Sequence, residues 1–265
     1  RFRGRCVLVF QPAEEGGGGA RRMVEGGLFA TDRFQIDEIY GLHNLPGLPL
    51  GEIAFREGAI MAASDRFDIV LEGGGGHAAQ PHLGVDVVLA GAELVGRVQQ
   101  FVARSLDPVQ PAVATISSFE APSAHNVMAA RAVLRGTARS LSAQTRDRIQ
   151  DRLGALCRAL SAETGAGVTL DYRRGYAATV NGPAGYARIL RTARSLLSSG
   201  SVHPGIDPLM AAEDFSEFLN HRPGGFLFIG NGESAPLHSS HYDFDDRAIA
   251  TGAAFWIALM ENASQ

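Results

Sequence analysis

The chain contains no lysine: all 24 of its basic residues, among 265, are arginines. That removes a Schiff-base lysine and the lysine of a phosphate-binding P-loop together. Neither glycine tetrad, Gly16 to Gly19 or Gly73 to Gly76, runs into a phosphate-binding helix motif, and no Gly-x-Ser-x-Gly nucleophile elbow occurs. Only two cysteines are present, too few for a disulfide framework, so a reducing, cytoplasmic setting is the expectation. Cys6 lies in an apolar run and Cys157 on a helical stripe, and both are expected to be buried small hydrophobes. No apolar run has membrane-spanning length and no signal-peptide pattern opens the chain, so no membrane partner is expected. A net charge of −4 offers no basic surplus for nucleic acid. Internal repeats and low-complexity tails are absent as well. The sequence begins at Arg1 and enters an apolar run almost at once, as expected if a further segment precedes it.

What is present is a soluble-type composition, 45% apolar and 20% charged, long enough for one large or two ordinary domains. Cys6 to Phe10 reads as a strand buried on both faces, stopped by Pro12 and the glycines, with Glu14 and Glu15 at its carboxyl end. In open α/β sheets ligands bind at that edge. A helix over Ala20 to Phe29 and a second strand over Ile36 to Leu42 follow, and His43 closes the strand at the same edge, the grammar of a parallel sheet. From residue 63 the pattern changes. Phe67, Ile69 and Leu71 alternate with wetter positions, Val87, Ala90, Leu94, Val98 and Phe101 share a helical face, and strands are expected over Ala112 to Phe119 and Val127 to Thr137. Ile149, Leu153, Leu156, Cys157 and Leu160 line a second helix before a strand at Val168 to Tyr172. Strand, helix, strand, strand, helix, strand is the split βαβ order of a ferredoxin-like α+β domain, placed at 63–176. It interrupts a larger α/β domain made of 1–62 and 177–265. That larger domain resumes with helices over Gly185 to Leu197 and Ala211 to Leu219, a buried strand at Phe226 to Gly230, and a histidine-bearing loop, Pro236 to His241. The closing helix starts near Asp245 and is expected to turn Ile249, Ala253, Trp256 and Met260 inward.

Glu15, His43 and His238 stand in three separate strand-tip loops and offer one oxygen and two nitrogens, a mixed set suited to zinc, manganese or cobalt. Glu14 is then free to act as a base on water activated by the metal. His82, His125, His203, His221 and His241 read as structural or solvent-facing; Glu213 and Asp214 cap or flank a helix naturally, and Glu213 alone is kept as a candidate to support the metal ligands from behind.

The strings Phe10-Gln11-Pro12-Ala13-Glu14-Glu15, Gly41-Leu42-His43-Asn44, Gly75-Gly76-His77-Ala78-Ala79-Gln80-Pro81-His82, Asn126-Val127, Gly136-Thr137-Ala138-Arg139, Ala212-Glu213-Asp214-Phe215 and Pro236-Leu237-His238 together resemble the M20 metallopeptidase superfamily, most of all its amidohydrolase branch of hippurate and auxin-conjugate hydrolases. The resemblance runs over nearly the whole chain. It implies a zinc-peptidase-like catalytic domain with a mixed, mostly parallel sheet and an inserted lid that also forms a homodimer. It further implies two divalent metals per full-length site, manganese or zinc, with cobalt and nickel as further candidates, and hydrolysis of the amide bond of N-acyl amino acids or related small conjugates. By position Glu14 would be the general base and Glu15, His43 and His238 metal ligands. His77 would hydrogen-bond the substrate carbonyl across the dimer, and Asn126 and Arg139 would hold the substrate carboxylate. The chain departs from the family pattern in three places. It has no Cys-Gly-His-Asp-Gly-His element to supply a thiolate and an imidazole, it carries Met128-Ala129-Ala130 where a proline usually follows the Asn-Val pair, and it lacks a lysine before His77. The first departure sets a rival expectation, a non-catalytic fragment whose lid still dimerises or binds ligand.

Overall fold

The computed structural model describes residues 4–30 and 34–262, so Arg1 lies outside the described residues. Two compact units are present: Arg1–Met61, Thr179–Leu209 and Glu213–Gln265 make the first, and Ala62–Ala178 with Met210–Ala212 the second. In chain order the first unit opens with helices α1 (Glu14–Gly17) and α2 (Gly19–Glu25) and strands β1 (Ile39–Leu45), β2 (Ile53–Ala54) and β3 (Gly58–Met61). The second holds β4 (Ala63–Glu72), β5 (Gly76–His77), α3 (Val87–Ser105), β6 (Ala112–Glu120), β7 (Val127–Met128), β8 (Arg131–Ser140), α4 (Ala143–Thr164) and β9 (Gly167–Arg174). The first then resumes with β10 (Thr179–Asn181), α5 (Pro183–Leu196), β11 (Val202–His203), α6 (Ser216–Leu219), β12 (Gly224–Gly230) and α7 (Ala248–Asn262).

The first unit is built on a mixed sheet in the order β1-β12-β2-β11, with β1 parallel to β12, β12 antiparallel to β2 and β2 parallel to β11. β12 is the run Gly-Gly-Phe-Leu-Phe-Ile-Gly, and every residue of it is buried, as a strand covered on both faces requires. Phe226 and Phe228 meet edge to face at 5.7 Å and join Ile53, Phe55 and Phe255 in one apolar core. Burying an aromatic side chain of this kind stabilises by roughly 1.5–3 kcal/mol, so β12 fixes the sheet to which β1 and its His43 are attached. Proline at the start of α5, after Gly182, fits the first helical turn, where no N–H is needed.

The second unit has the order β6-β8-β4-β9, antiparallel throughout, with α3 and α4 contributing buried faces to a separate core. β4 buries Phe67, Ile69 and Leu71 on alternate positions, and α3 buries Val87, Ala90, Leu94, Val98 and Phe101. The Asp86 carboxylate accepts the Val88 and Leu89 N–H groups at 3.0 Å to start α3, and Gly165, at φ 75°, ends α4. Buried Asp65 accepts from Arg146, from Tyr172 Oη at 2.7 Å and from Gly175 N at 3.1 Å, so its charge is fully paired. This is the ferredoxin-like order read from the sequence.

Five local expectations need correction. Cys6 to Phe10 forms no ladder with any described residue; it is extended, with Val7 and Val9 against the core while Leu8 and Phe10 are 75% and 85% exposed, and Cys6 is exposed too. The run is apolar on both sides but has a packing partner on one. The stretch from Val127 is split at Ala129-Ala130 because β7 leaves the main sheet to pair with β5. Between Ala211 and Leu219 only Ser216–Leu219 is helical, since buried Glu213 and Asp214 use their side chains on backbone N–H groups and hold the preceding turn open. His43 lies inside β1, opposite Phe228, rather than beyond it. α7 turns Ala248, Gly252, Phe255 and Leu259 inward, one position from the expected face, and Ile249 is exposed.

Candidate active site

The extended segment turns sharply at Ala13, which adopts the left-handed conformation (φ 53°), and Gly16 and Gly18 follow at φ 83° and 63°. Non-glycine residues rarely take such a φ, and those that do cluster at functional sites. The result is a tight loop from Gln11 to Ala20. At its neck the backbone of Gly19 passes so near Pro12 that a Cβ would lie 1.6 Å from Pro12 O.

Glu14, at the tip of this loop, is half-buried. One carboxylate oxygen from each of Glu14, Glu213 and Asp214 lie within 4.8 Å of one another, and the last two are buried. Burial first, then the charges of Asp214 and Glu15, push the Glu14 carboxyl above its ordinary value, against a hydrogen bond from the Asp214 backbone N–H and the nearby His43. Glu213 is pushed up to about 8, mainly by burial and then by Glu14, although its Oε1 accepts the Phe215 N–H at 3.1 Å. Both oxygens of Asp214 are engaged: Oδ1 accepts from Gln11 Nε2 and Oδ2 from Ala20 N at 2.9 Å.

Glu15 turns the other way, toward solvent, and its Oε1 stands 3.6 Å from Nδ1 of His238, itself in a left-handed conformation (φ 65°). His43 donates from Nδ1 to the Asn44 carbonyl at 2.6 Å, so in the neutral ring Nε2 keeps its lone pair, the arrangement of a metal-ligating imidazole. Asn44 is held in turn by Tyr242, whose hydroxyl donates to Asn44 Oδ1 at 2.9 Å. The first unit thus gathers Glu14 with Glu213 and Asp214, and Glu15 with His238, and sets His43 close enough to act on the charge of Glu14. The sequence reading had Asp214 only as an acid flanking a helix, whereas its carboxylate is spent on Gln11 and Ala20. The available signal was a second acidic pair in an apolar setting, Ala212-Glu213-Asp214-Phe215, repeating the Glu14-Glu15 pattern.

The remaining sequence candidates belong to the second unit. His77 sits on β5 opposite Val127, and its Nδ1 accepts the Ala79 N–H at 3.1 Å. In the neutral ring the proton is therefore on Nε2, an outward donor. Ala78 N donates to Asn126 O at 3.0 Å, so His77 and Asn126 sit at one two-stranded ribbon, β5 with β7. Arg139 is elsewhere: it faces Ser64 at one end of the β4–β8 ladder, whereas the ribbon lies past the Glu72–Arg131 end. Arg139 donates to Thr137 Oγ1 and to Ala138 O at 3.0 Å, and burial draws its guanidinium below the ordinary value.

The first unit thus presents a buried carboxylate group, an exposed carboxylate–imidazole pair and an oriented second imidazole, oxygen and nitrogen donors of the kind a divalent metal accepts. The family model described as peptidase family M20/M25/M40 matches residues 1–262, and the chain belongs to that family. It is 37% identical over 258 residues to YhaA of Bacillus subtilis, covering 95% of this chain and 64% of that protein. It is 34% identical over 259 residues to the N-acetyldiaminopimelate deacetylase of Shouchella clausii, covering 96% of this chain and 67% of the relative. Among solved structures, YxeP of Bacillus subtilis, described as a dinuclear metal binding peptidase from the M20 family, shares the fold at TM-score 0.80 and 24% identity, over 96% of this chain and 64% of that one. The chain thus spans somewhat less than two thirds of the length of YhaA. Among the described residues no helix is long and apolar enough to cross a membrane.

Proposed function

We propose that the chain carries most of the catalytic centre of a metal-dependent amidohydrolase acting on N-acyl amino acids or similar small amide conjugates. The observation that carries this reading is the pair of histidine orientations: the backbone leaves His43 a lone pair at Nε2 beside a carboxylate group, and leaves His77 a proton at Nε2. The first suits a ligand and the second a donor to a carbonyl oxygen. Glu15, His43 and His238 would hold a divalent ion, manganese or zinc, with Glu213 behind them. The residues fit, since Glu15 Oε1 and His238 Nδ1 stand 3.6 Å apart, as two donors to one ion would, and His43 keeps a lone pair at Nε2. Such an ion would supply Lewis acidity, making water a stronger acid and drawing charge from the amide carbonyl. Glu14, more basic than a free carboxylate, would take the proton from the attacking water and return it to the departing nitrogen. His77 would donate to the carbonyl oxygen, while Asn126 and Arg139 would bind the substrate carboxylate. Because those two lie at opposite ends of one ladder, they would do so from different copies of a homodimer formed through the inserted domain. A deacetylase among the relatives supports an acylated amino-acid substrate. The test is Glu14→Gln against Glu15→Gln, with bound zinc or manganese and hydrolysis of an N-acetyl amino acid measured together. Glu14→Gln should keep the metal and lower turnover by at least ~10²-fold, while Glu15→Gln loses the metal. A wild-type chain that takes up neither ion would end the reading.

A further inference from the structure

We propose that Asp214 is a positioning residue: its carboxylate locks the neck of the Gln11–Ala20 loop and so sets where Glu14 and Glu15 stand. What that placement serves rests on the hydrolase reading, whereas the locking itself does not. Asp214 is fully buried, yet it is tied to the loop at three points. Oδ1 accepts from the Gln11 side chain on the incoming strand of the neck, and Oδ2 accepts from Ala20 N at 2.9 Å on the outgoing one. Its backbone N–H is hydrogen-bonded to the Glu14 carboxylate between them. The loop needs such a lock. Ala13, Gly16 and Gly18 all sit at positive φ, and Gly19 is pressed against Pro12. Within the loop Gly17 N donates to Ala13 O at 3.1 Å, which closes one turn and leaves its attitude to the sheet undetermined. A buried carboxylate between two N–H donors from opposite sides of the neck fixes that attitude, and charge-assisted bonds of this kind are about twice as strong as neutral ones. Two features show that this is more than helix capping. The Gln11 contact comes from a residue outside α2, and Asp214 itself reaches, through its backbone N–H, the carboxylate at the loop's tip.

The geometry specifies its own rescue. In Asp214→Asn one acceptor becomes an N–H donor, which Gln11 can meet only by turning its amide oxygen inward, and both bonds across the neck then fall from charge-assisted to neutral strength. In Q11E/D214N the carboxylate has moved across the contact: the new amide donates to it and still accepts from Ala20, at unchanged net charge. The experiment uses the whole chain and reads amide hydrogen exchange and zinc titration side by side. In D214N the Gly17 and Ala20 amides should exchange at least ~10-fold faster while β12 amides keep their wild-type protection. The zinc dissociation constant should rise by about 10- to 100-fold, as on loss of a residue supporting metal ligands. Q11E/D214N should return both readings to within about threefold of wild type. Unchanged loop exchange in D214N, or a double variant no better than D214N, overturns the proposal. Should D214N fail to fold, Gln11→Leu removes one arm of the lock without burying a new donor; faster exchange at Ala20 supports the lock and wild-type exchange refutes it. A wild-type chain that binds no zinc would sink the hydrolase reading alone, and the exchange data would still decide the role of Asp214.

Discussion

Gly19→Ala sets two effects against each other, and the structure says which wins. Gly19 is the first residue of α2, and alanine in place of glycine favours a helix by up to about 1 kcal/mol. Against this, the added Cβ would lie 1.6 Å from Pro12 O and 2.8 Å from Pro12 C. Carbon and oxygen in contact stand at roughly 3.3 Å, so the neck must open by well over an ångström. Both offending atoms are backbone, so no rotamer change relieves them. Overpacking of this sort costs about 1–3 kcal/mol and occasionally more, and a clash this deep belongs at or above the upper end. Net destabilisation of about 2 kcal/mol or more lowers Tm by roughly 4–8 °C for a unit of this size. Opening the neck also swings Glu14 and Glu15 away from Glu213 and His238, so zinc affinity should fall with stability. Calorimetric melting and zinc titration of the same preparation check both consequences. A variant that melts at or above the wild-type temperature and titrates with zinc normally would show that the neck is not closed as described.

The raised pKa of Glu213 makes metal-free stability depend on pH. Its folded-state value, about 8, exceeds the ordinary 4.5, so the proton is held more tightly in the folded chain. Stability from this group is complete below about pH 4.5 and is lost as pH climbs toward 8. Urea denaturation in a chelator should show that decline, and Glu213→Gln should flatten it; an equal slope in both proteins would place the titration elsewhere. The cysteines should separate cleanly in a thiol-reagent assay. Cys6 is exposed, whereas Cys157 is buried, and burial pushes its thiol up to about 11. One fast-reacting thiol is therefore expected in the native chain, and Cys6→Ser should abolish it.

The second unit was the more legible part of the molecule because each of its elements has one wet face. Val87, Ala90, Leu94, Val98 and Phe101 give a helical stripe that has one inward solution, and Phe67, Ile69 and Leu71 give an alternation that does likewise. Where the sequence is apolar on every side, period carries no direction. α7 reads Ala-Ile-Ala-Thr-Gly-Ala-Ala-Phe-Trp-Ile, and its inward face is decided by which residues meet β12 and α5, so Ile249 was placed wrongly by one position. Val7, Leu8, Val9 and Phe10 are equally apolar, but packing reaches only alternate residues. In the site, Glu14, Glu15, His43 and His238 stood out in the sequence as polar groups beside apolar runs, although among the described residues no strand precedes Glu14 and Glu15, and His43 lies inside β1. Asp214 was readable as half of a second acidic pair, but its task, to accept two hydrogen bonds across the neck of a loop some 200 residues away in sequence, is encoded by no local pattern.

The parallel pairing of β1 with β12 sets a timetable for folding. Ile39 lies opposite Gly224, 185 residues later by subtraction, and the whole of Ala62–Ala178 is made in between. At a synthesis rate of about 5–20 residues per second, β1 waits roughly 10–40 s for its neighbour. The second unit, whose strands all pair within a contiguous stretch, can close during that interval and shortens the effective loop that β1 and β12 must later bridge. Until then β1 lacks its strand partner and leaves its backbone edge unpaired, so the ribosome-bound chain is at its most adhesive before the central strand has been made.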